Sequence, residues 1–466
     1  MKLFNLKYLP FLFVFTSIIL KLFYITTFPI QLDEPFSIFT SNLNWKEFFQ
    51  VFVNENNPPL HPLLLKMVIS FLGLDFFWMR FLSVLFSSFS IWFLYKGLEH
   101  LYSNKEAILA STFMLLSNLQ MVYSHQIRAY ALLVMLACMC FYSFVLVLKS
   151  NKKRNLFLLG VSFALMMFTH FMGILSVFFM SLSVFIYWKE KEIRNRLFYS
   201  LVVAFIIFCP YLPIFISRFL ASTGGTWIEK PTSFMSVYYS IWRFFNAPLV
   251  TIIAILIFFS AFYFLRKRKE NHFFLYFLNI QIILSLVGIY FFSFIIPLYI
   301  DRYLIFVSPF IYAYIAIIIV YWSDVIKNNY FKKLTLLLVP VLFLATFKID
   351  ADINMDSNVK WEFIKSQTKN HNLIISPSWD DLNYCYYLDS EYFFVNSRAE
   401  FDSLRFKSKI YTELDFIKNP QLFSENEFYV YSKNQTFDKN IELIFKENFS
   451  LHKKINDYLF VYKKRK

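Results

Sequence analysis

Apolar runs of about 15 to 24 residues, parted by short polar turns, recur from the N-terminus to about residue 347, each near the roughly 20 residues that cross a bilayer as a helix. The runs fall at about 8–27, 77–96, 105–122, 129–148, 155–169, 171–188, 197–217, 248–265, 273–296, 303–323 and 332–347, predicting some 11 to 13 transmembrane helices. Residues 59–74 form a shorter apolar stretch, expected as a short helix at the membrane surface. Beyond Lys348 the period changes. Strand-like runs at 372–376, 392–395, 409–411, 427–431 and 458–462 alternate with helical stretches at 356–369 and 379–387. The pattern predicts a mainly α polytopic membrane protein, residues 1–347, followed by a small extracytoplasmic α/β domain, residues 348–466.

Composition supports the division. Of the 466 residues 58% are hydrophobic and 22% aromatic, with mean hydropathy +0.50, beyond what one soluble core absorbs. The net charge of +15 does not signal nucleic acid. From Lys348 onward, 18 basic residues meet 18 acidic ones, so the excess belongs to the membrane part, where 28 basic residues outnumber 13 acidic ones and gather in short loops. Such loops mark the cytoplasmic side and attract anionic lipid headgroups. With the loops 96–105, 149–154, 189–196, 266–269 and 327–333 inside, the chain starts in the cytoplasm and its tail lies outside. No small-residue cleavage site follows the first span, so it reads as an uncleaved anchor. The four cysteines form no disulfide framework. With only 7 glycines and no P-loop or dinucleotide turn, a nucleotide-borne donor is disfavoured.

On this topology the unusual polar residues converge on the outer leaflet. Asp33, Glu34, Asn57 and His61 lie in the first outer loop, 28–76. His125, Arg128 and Tyr130 lie at the second outer turn, His170 at the third, and Arg302 with Tyr303 opens the tenth span. Ionisable groups at membrane depth are costly and mark function by default. The bland alternatives are snorkelling for a lone Arg and packing for a lone His, and Tyr130 and Tyr303 taken singly read as interfacial-belt aromatics. A Gly-Gly-Thr-Trp turn ending at Trp227 is expected as a surface turn, or as a lid whose indole stacks on a sugar.

Taken in order, the acidic pair Asp33-Glu34, the run Asn56-Asn57-Pro58-Pro59-Leu60-His61-Pro62, then RFLS, YSHQIRAYALL, Thr169-His170 and DRYLIFVSP resemble the GT-C membrane glycosyltransferases over the whole chain. The nearest likeness is to bacterial relatives of protein O-mannosyltransferases and of the transferases that decorate lipopolysaccharide with sugars from a polyprenyl phosphate. The family pattern has HPPL where this chain has Asn57-Pro58-Pro59-Leu60-His61, and it carries an acid near the second outer turn that is absent here. The resemblance implies an inner-membrane enzyme that moves a sugar from a polyprenyl-phosphate donor to a hydroxyl of a lipid, glycan or protein acceptor. Asp33 would be the essential acid with Glu34 beside it. A single carboxylate taking the acceptor proton suits a one-step inverting displacement.

Arg128 and Arg302, with Tyr130 and Tyr303, are the expected donor-phosphate residues, because guanidinium forks match phosphate oxygens; Arg218 and Arg243 are weaker choices. His61, His170, Asn57 and His125 are expected around the substrate or a divalent ion, whose identity the spacing leaves open. An outer-leaflet polysaccharide polymerase or ligase, or a lipid-sugar flippase, is the alternative; a flippase would place its ionisable groups near the midplane.

Overall fold

The computed structural model describes residues 6–28, 30, 33–55, 57–223, 228–267, 272–349, 355–369, 371–418, 427–432 and 448–465. The Gly224–Trp227 turn lies outside these. The chain divides into two compact units: residues 1–28, 52–68 and 75–350 form the membrane unit, and residues 29–51, 69–74 and 351–466 form the C-terminal unit.

Every apolar run of the membrane unit is helical. In chain order the helices there are α1 (Leu9–Phe23), α4 (Leu60–Leu72, reaching into the second unit), α5 (Phe76–Leu101), α6 (Asn104–Leu115), α7 (Asn118–Tyr123), α8 (Tyr130–Lys149), α9 (Lys153–Met167) and α10 (Phe171–Ser181). There follow α11 (Ser183–Ile186), α12 (Lys191–Phe208), α13 (Leu212–Ser222), α14 (Met235–Phe244), α15 (Pro248–Lys267), α16 (His272–Ile283), α17 (Ile289–Phe292), α18 (Asp301–Leu304), α19 (Ser308–Val325) and α20 (Asn329–Thr346). Among the described residues six helical segments are long and apolar enough to cross a bilayer, or seven if the pair 235–244 and 248–261, bent by 100°, counts as one. Others, α1, α4 and 171–186, are shorter apolar helices. α4, at 13 residues, is about 20 Å long, short of the roughly 30 Å hydrocarbon core.

α19 is the central helix. All thirteen positions from Ser308 to Val320 are buried, as expected of a helix that is apolar on every side. By contrast α12, α13 and α20 show apolar side chains outward, the surface a lipid solvent calls for. Polar side chains tie helices where they are buried: Ser17 and Ser88 hydroxyls lie 3.0 Å apart, and Lys21 Nζ donates to Ser87 Oγ at 2.7 Å. Small residues permit the close approaches typical of membrane bundles. A Cβ on Gly97 of α5 would stand 2.3 Å from the Phe141 ring of α8.

The C-terminal unit is a five-stranded sheet with flanking helices. Its strands are β1 (Leu373–Ser376), β2 (Ile410–Thr412), β3 (Glu427–Ser432), β4 (Phe449–Lys454) and β5 (Leu459–Lys464), in the order β2-β1-β3-β5-β4. β2, β1 and β3 run parallel, and β3, β5 and β4 antiparallel. All four residues of β1 are buried, the mark of a parallel strand covered on both faces. The helices are α2 (Glu34–Asn42), α3 (Trp45–Asn54, ending in the membrane unit), α21 (Met355–Thr368), α22 (Asp381–Leu388), α23 (Arg398–Lys407) and α24 (Glu413–Lys418).

Two expectations are corrected here. Residues 392–395 are not a strand: the Asp389 carboxylate accepts from Glu391 N at 2.9 Å and starts a 3-10 turn over Ser390–Phe393. The first outer loop, expected with the membrane part, is divided, and residues 29–51 cluster with the tail. The reason is a set of bonds to residues more than 350 positions on. Asn44 N donates to Asn396 O at 2.8 Å, Arg398 N to Glu47 Oε2 at 2.8 Å, and the Phe39 ring packs on those of Phe393 and Phe401.

Candidate active site

In the membrane unit, three chain turns come together, two of them through a main-chain bond. Leu60 N, at the start of α4, donates to Phe168 O at 3.1 Å and so sets His61 beside the α9–α10 turn. That turn carries His170 as the N-cap of α10, where its Nδ1 accepts from Met172 N at 3.1 Å. The turn is tight because position 173 has no side chain: a Cβ there would stand 2.1 Å from Met166 O. The third piece is the α7–α8 turn with Arg128 and then Tyr130, which is buried at the first residue of α8.

His170 collects these elements. Its ring lies 4.8 Å from that of Tyr303, edge to face, and 6.1 Å from that of Tyr130. The charges of Arg128 and Arg302 both act on it, and that of Arg128 also acts on His61. Both histidines are buried, and the Nε2 of each has no hydrogen-bond partner among the described residues. For His170 the capping bond settles the tautomer: a nitrogen that accepts from a main-chain N–H carries a lone pair, so the proton of the neutral ring sits on Nε2. The site therefore presents a buried donor beside two cationic side chains, an arrangement suited to an anionic oxygen.

The other residues fall into clear roles. Tyr123, the first residue of the YSHQIRAYALL run but not among the expected site residues, packs its ring 5.1 Å from that of Tyr130 and feels the Arg302 charge. Arg302 lies half-buried in α18 with its guanidinium 5.9 Å from the Tyr303 ring. Arg243 pairs with Asp301 at 3.3 Å, and Ser240 Oγ donates to the same carboxylate at 2.9 Å. Arg218 acts on Tyr211 instead of joining this group. Asn57 is half-buried before α4.

His125 is corrected. It is fully buried, with Nδ1 2.7 Å from Met121 O and Nε2 2.8 Å from Lys21 O, and its ring stacks on Phe28 at 4.7 Å. Both nitrogens face main-chain carbonyls, so this side chain braces α7 against α1 and is not open to a substrate or metal.

In the C-terminal unit, Asp33 is the half-buried N-cap residue of α2 and Glu34 its buried first residue. The Asp33 carbonyl accepts from Ser37 N at 3.3 Å, the first main-chain bond of the helix, and its side chain makes no capping bond. Carboxylates at a helix N-terminus are favoured by the helix dipole. Among the described residues no three His, Cys, Asp or Glu side chains come together to hold a metal ion.

Residues 56–214 match the family described as dolichyl-phosphate-mannose-protein mannosyltransferase. The fold is similar to that of ArnT from Cupriavidus metallidurans bound to undecaprenyl phosphate, with TM-score 0.62, 12% identity and 97% of each chain covered. It is also similar to the Archaeoglobus fulgidus oligosaccharyltransferase in its apo form, with TM-score 0.57, 11% identity, and 93% of this chain and 70% of that one covered. The archaeal oligosaccharyltransferase AglB from Archaeoglobus fulgidus, in complex with an inhibitory peptide and a dolichol-phosphate, matches with TM-score 0.54, 10% identity and coverage of 91% and 69%. No curated protein matches the sequence. The fold is of the GT-C type found in these membrane glycosyltransferases, and the family match covers residues 56–214.

Proposed function

We propose that this protein transfers a sugar from a polyprenyl-phosphate donor to a hydroxyl of a lipid, glycan or protein acceptor, at the outer face of the bacterial cytoplasmic membrane. The observation that carries the reading is His170: a buried Nε2 donor with no partner among the described residues, acted on by Arg128 and Arg302. A buried donor left unpaired costs about 1–3 kcal/mol, a cost offset once a phosphate oxygen accepts from it. The ArnT structure holds undecaprenyl phosphate and the AglB structure a dolichol-phosphate, which supports the same class of donor here.

In the reaction the Asp33 carboxylate takes the proton of the acceptor hydroxyl as its oxygen attacks the anomeric carbon. The bond from that carbon to the phosphate oxygen breaks, and the lipid phosphate leaves with the electron pair. Arg128, Arg302 and the His170 Nε2 proton stabilise the charge that develops on it. One displacement inverts the anomeric centre. Glu34, buried at the next position, supports Asp33 without reaching the acceptor. The basic loops favour the outer face through the positive-inside rule.

The test is purified protein in lipid supplied with a polyprenyl-phosphate sugar. Asp33→Asn is expected to insert and accumulate normally while transfer is lost, a fall of at least ~10² for removal of a general base. Full transfer by that variant would sink the base assignment. Activity with a nucleotide sugar alone would sink the donor assignment.

A further inference from the structure

Asp33 lies in a segment that the C-terminal unit grips at both ends, and the grips are uncharged side chains bonded to main-chain carbonyls. Upstream, the Tyr387 hydroxyl of α22 donates to the carbonyl of Ile30, three residues before Asp33. Downstream, the Asn42 amide, at the last residue of α2, donates to the carbonyls of Phe393 and Val395, each at 3.0 Å. Between these grips, Ser37, Ile38, Phe39, Thr40 and Ser41 are buried. Tyr387 is itself held, its ring stacked on that of Trp361 at 6.1 Å and 21°, and Trp361 is buried.

We propose that Tyr387 and Asn42 are positioning residues for the transfer reaction, holding the main chain at Ile30 and at Asn42 on either side of Asp33 so that its carboxylate is presented in one place. The inference rests on the assignment of Asp33 as the base. A general base acts only within hydrogen-bond reach of its proton, and a misplacement of about 1 Å costs on the order of 10²-fold in rate. Asp33 is the N-cap of a helix only nine residues long, too short to hold its own geometry in isolation. The two anchors add to the Phe39 packing and the Asn44 and Glu47 bonds in holding it.

Two variants test this in the full-length protein reconstituted in lipid. Tyr387→Phe keeps the ring on Trp361 and deletes one donor; Asn42→Leu keeps the shape and deletes the amide. Amide hydrogen exchange and steady-state transfer are read on each. In both variants the amides of residues 33–42 are expected to exchange several-fold faster while those of β1 and β3 keep their wild-type rates. The kcat is expected to fall about tenfold, with KM for donor and acceptor within twofold of wild type. Wild-type exchange at 33–42, or faster exchange with unchanged kcat, overturns the proposal. Uniformly faster exchange through β1 and β3 also overturns it, because the two residues would then serve general stability. Exchange does not depend on chemistry: if Asp33→Asn retains transfer, the base assignment fails while the anchoring result stands.

Discussion

A single histidine shows how a polar residue in a membrane protein declares its role. His125 and His170 look alike in the sequence, each beside a hydroxyl residue at the end of an apolar run. Their surroundings separate them, since His125 meets two carbonyl oxygens and His170, among the described residues, one main-chain donor. That difference was not legible beforehand, because the carbonyl of Lys21 comes from 104 residues away. Two substitutions divide the jobs of His170. His170→Asn keeps an oxygen to cap Met172 N but removes the Nε2 donor. Donor affinity is expected to fall about 10- to 100-fold, the roughly 1.5–3 kcal/mol of a hydrogen bond to a charged group, with the melting temperature unchanged. His170→Ala loses the cap as well and is expected to lower stability by about 1 kcal/mol. Titration with the polyprenyl phosphate and thermal unfolding in detergent check both.

At the scale of elements, hydrophobic periodicity located the helices because lipid and helix core both demand apolar residues over a fixed length. The expected spans all overlap helices among the described residues. What periodicity could not see is how closely they cross. The α9–α10 turn depends on Gly173, and Gly173→Ala sets a Cβ against Met166 O. Overpacking of this kind costs about 1–3 kcal/mol, and the displaced turn should weaken donor binding as well; thermal unfolding and titration together would reveal it. In the C-terminal unit β4 escaped notice, since five of its six residues are exposed and its sequence, FSLHKK, is polar. α23 carries Arg405, buried and bonded to Asp402 at 2.9 Å, Asp415 at 2.6 Å and the Ile410 carbonyl at 3.2 Å. Arg405→Met leaves carboxylates packed around an apolar stem, a loss of about 3–5 kcal/mol. Cys385, buried beside this cluster, should then react with a membrane-impermeant maleimide that spares it in the wild type.

For the whole molecule, the basic loops carry a prediction of their own. A single cysteine at position 152, introduced as Lys152→Cys in a protein with its other cysteines replaced, is expected to label only after the membrane is opened. Labelling from outside would reverse the proposed sidedness, and with it the face at which transfer occurs. The tail announced itself by balanced charge and a change of period. Its partner segment did not, because side-chain amides bonded to distant carbonyls, such as Asn42 to Phe393 and Val395, leave no repeat in the sequence.

That pairing imposes a schedule on synthesis. The C-terminal unit draws on residues 29–51, 69–74 and 351–466, so the acidic segment emerges early and waits for a partner some 350 residues behind it. At about 5–20 residues per second the delay is on the order of 20–70 seconds. Throughout that interval Asn42, Asn44 and Glu47 lack the partners at residues 393–398 that hold their segment in the folded protein.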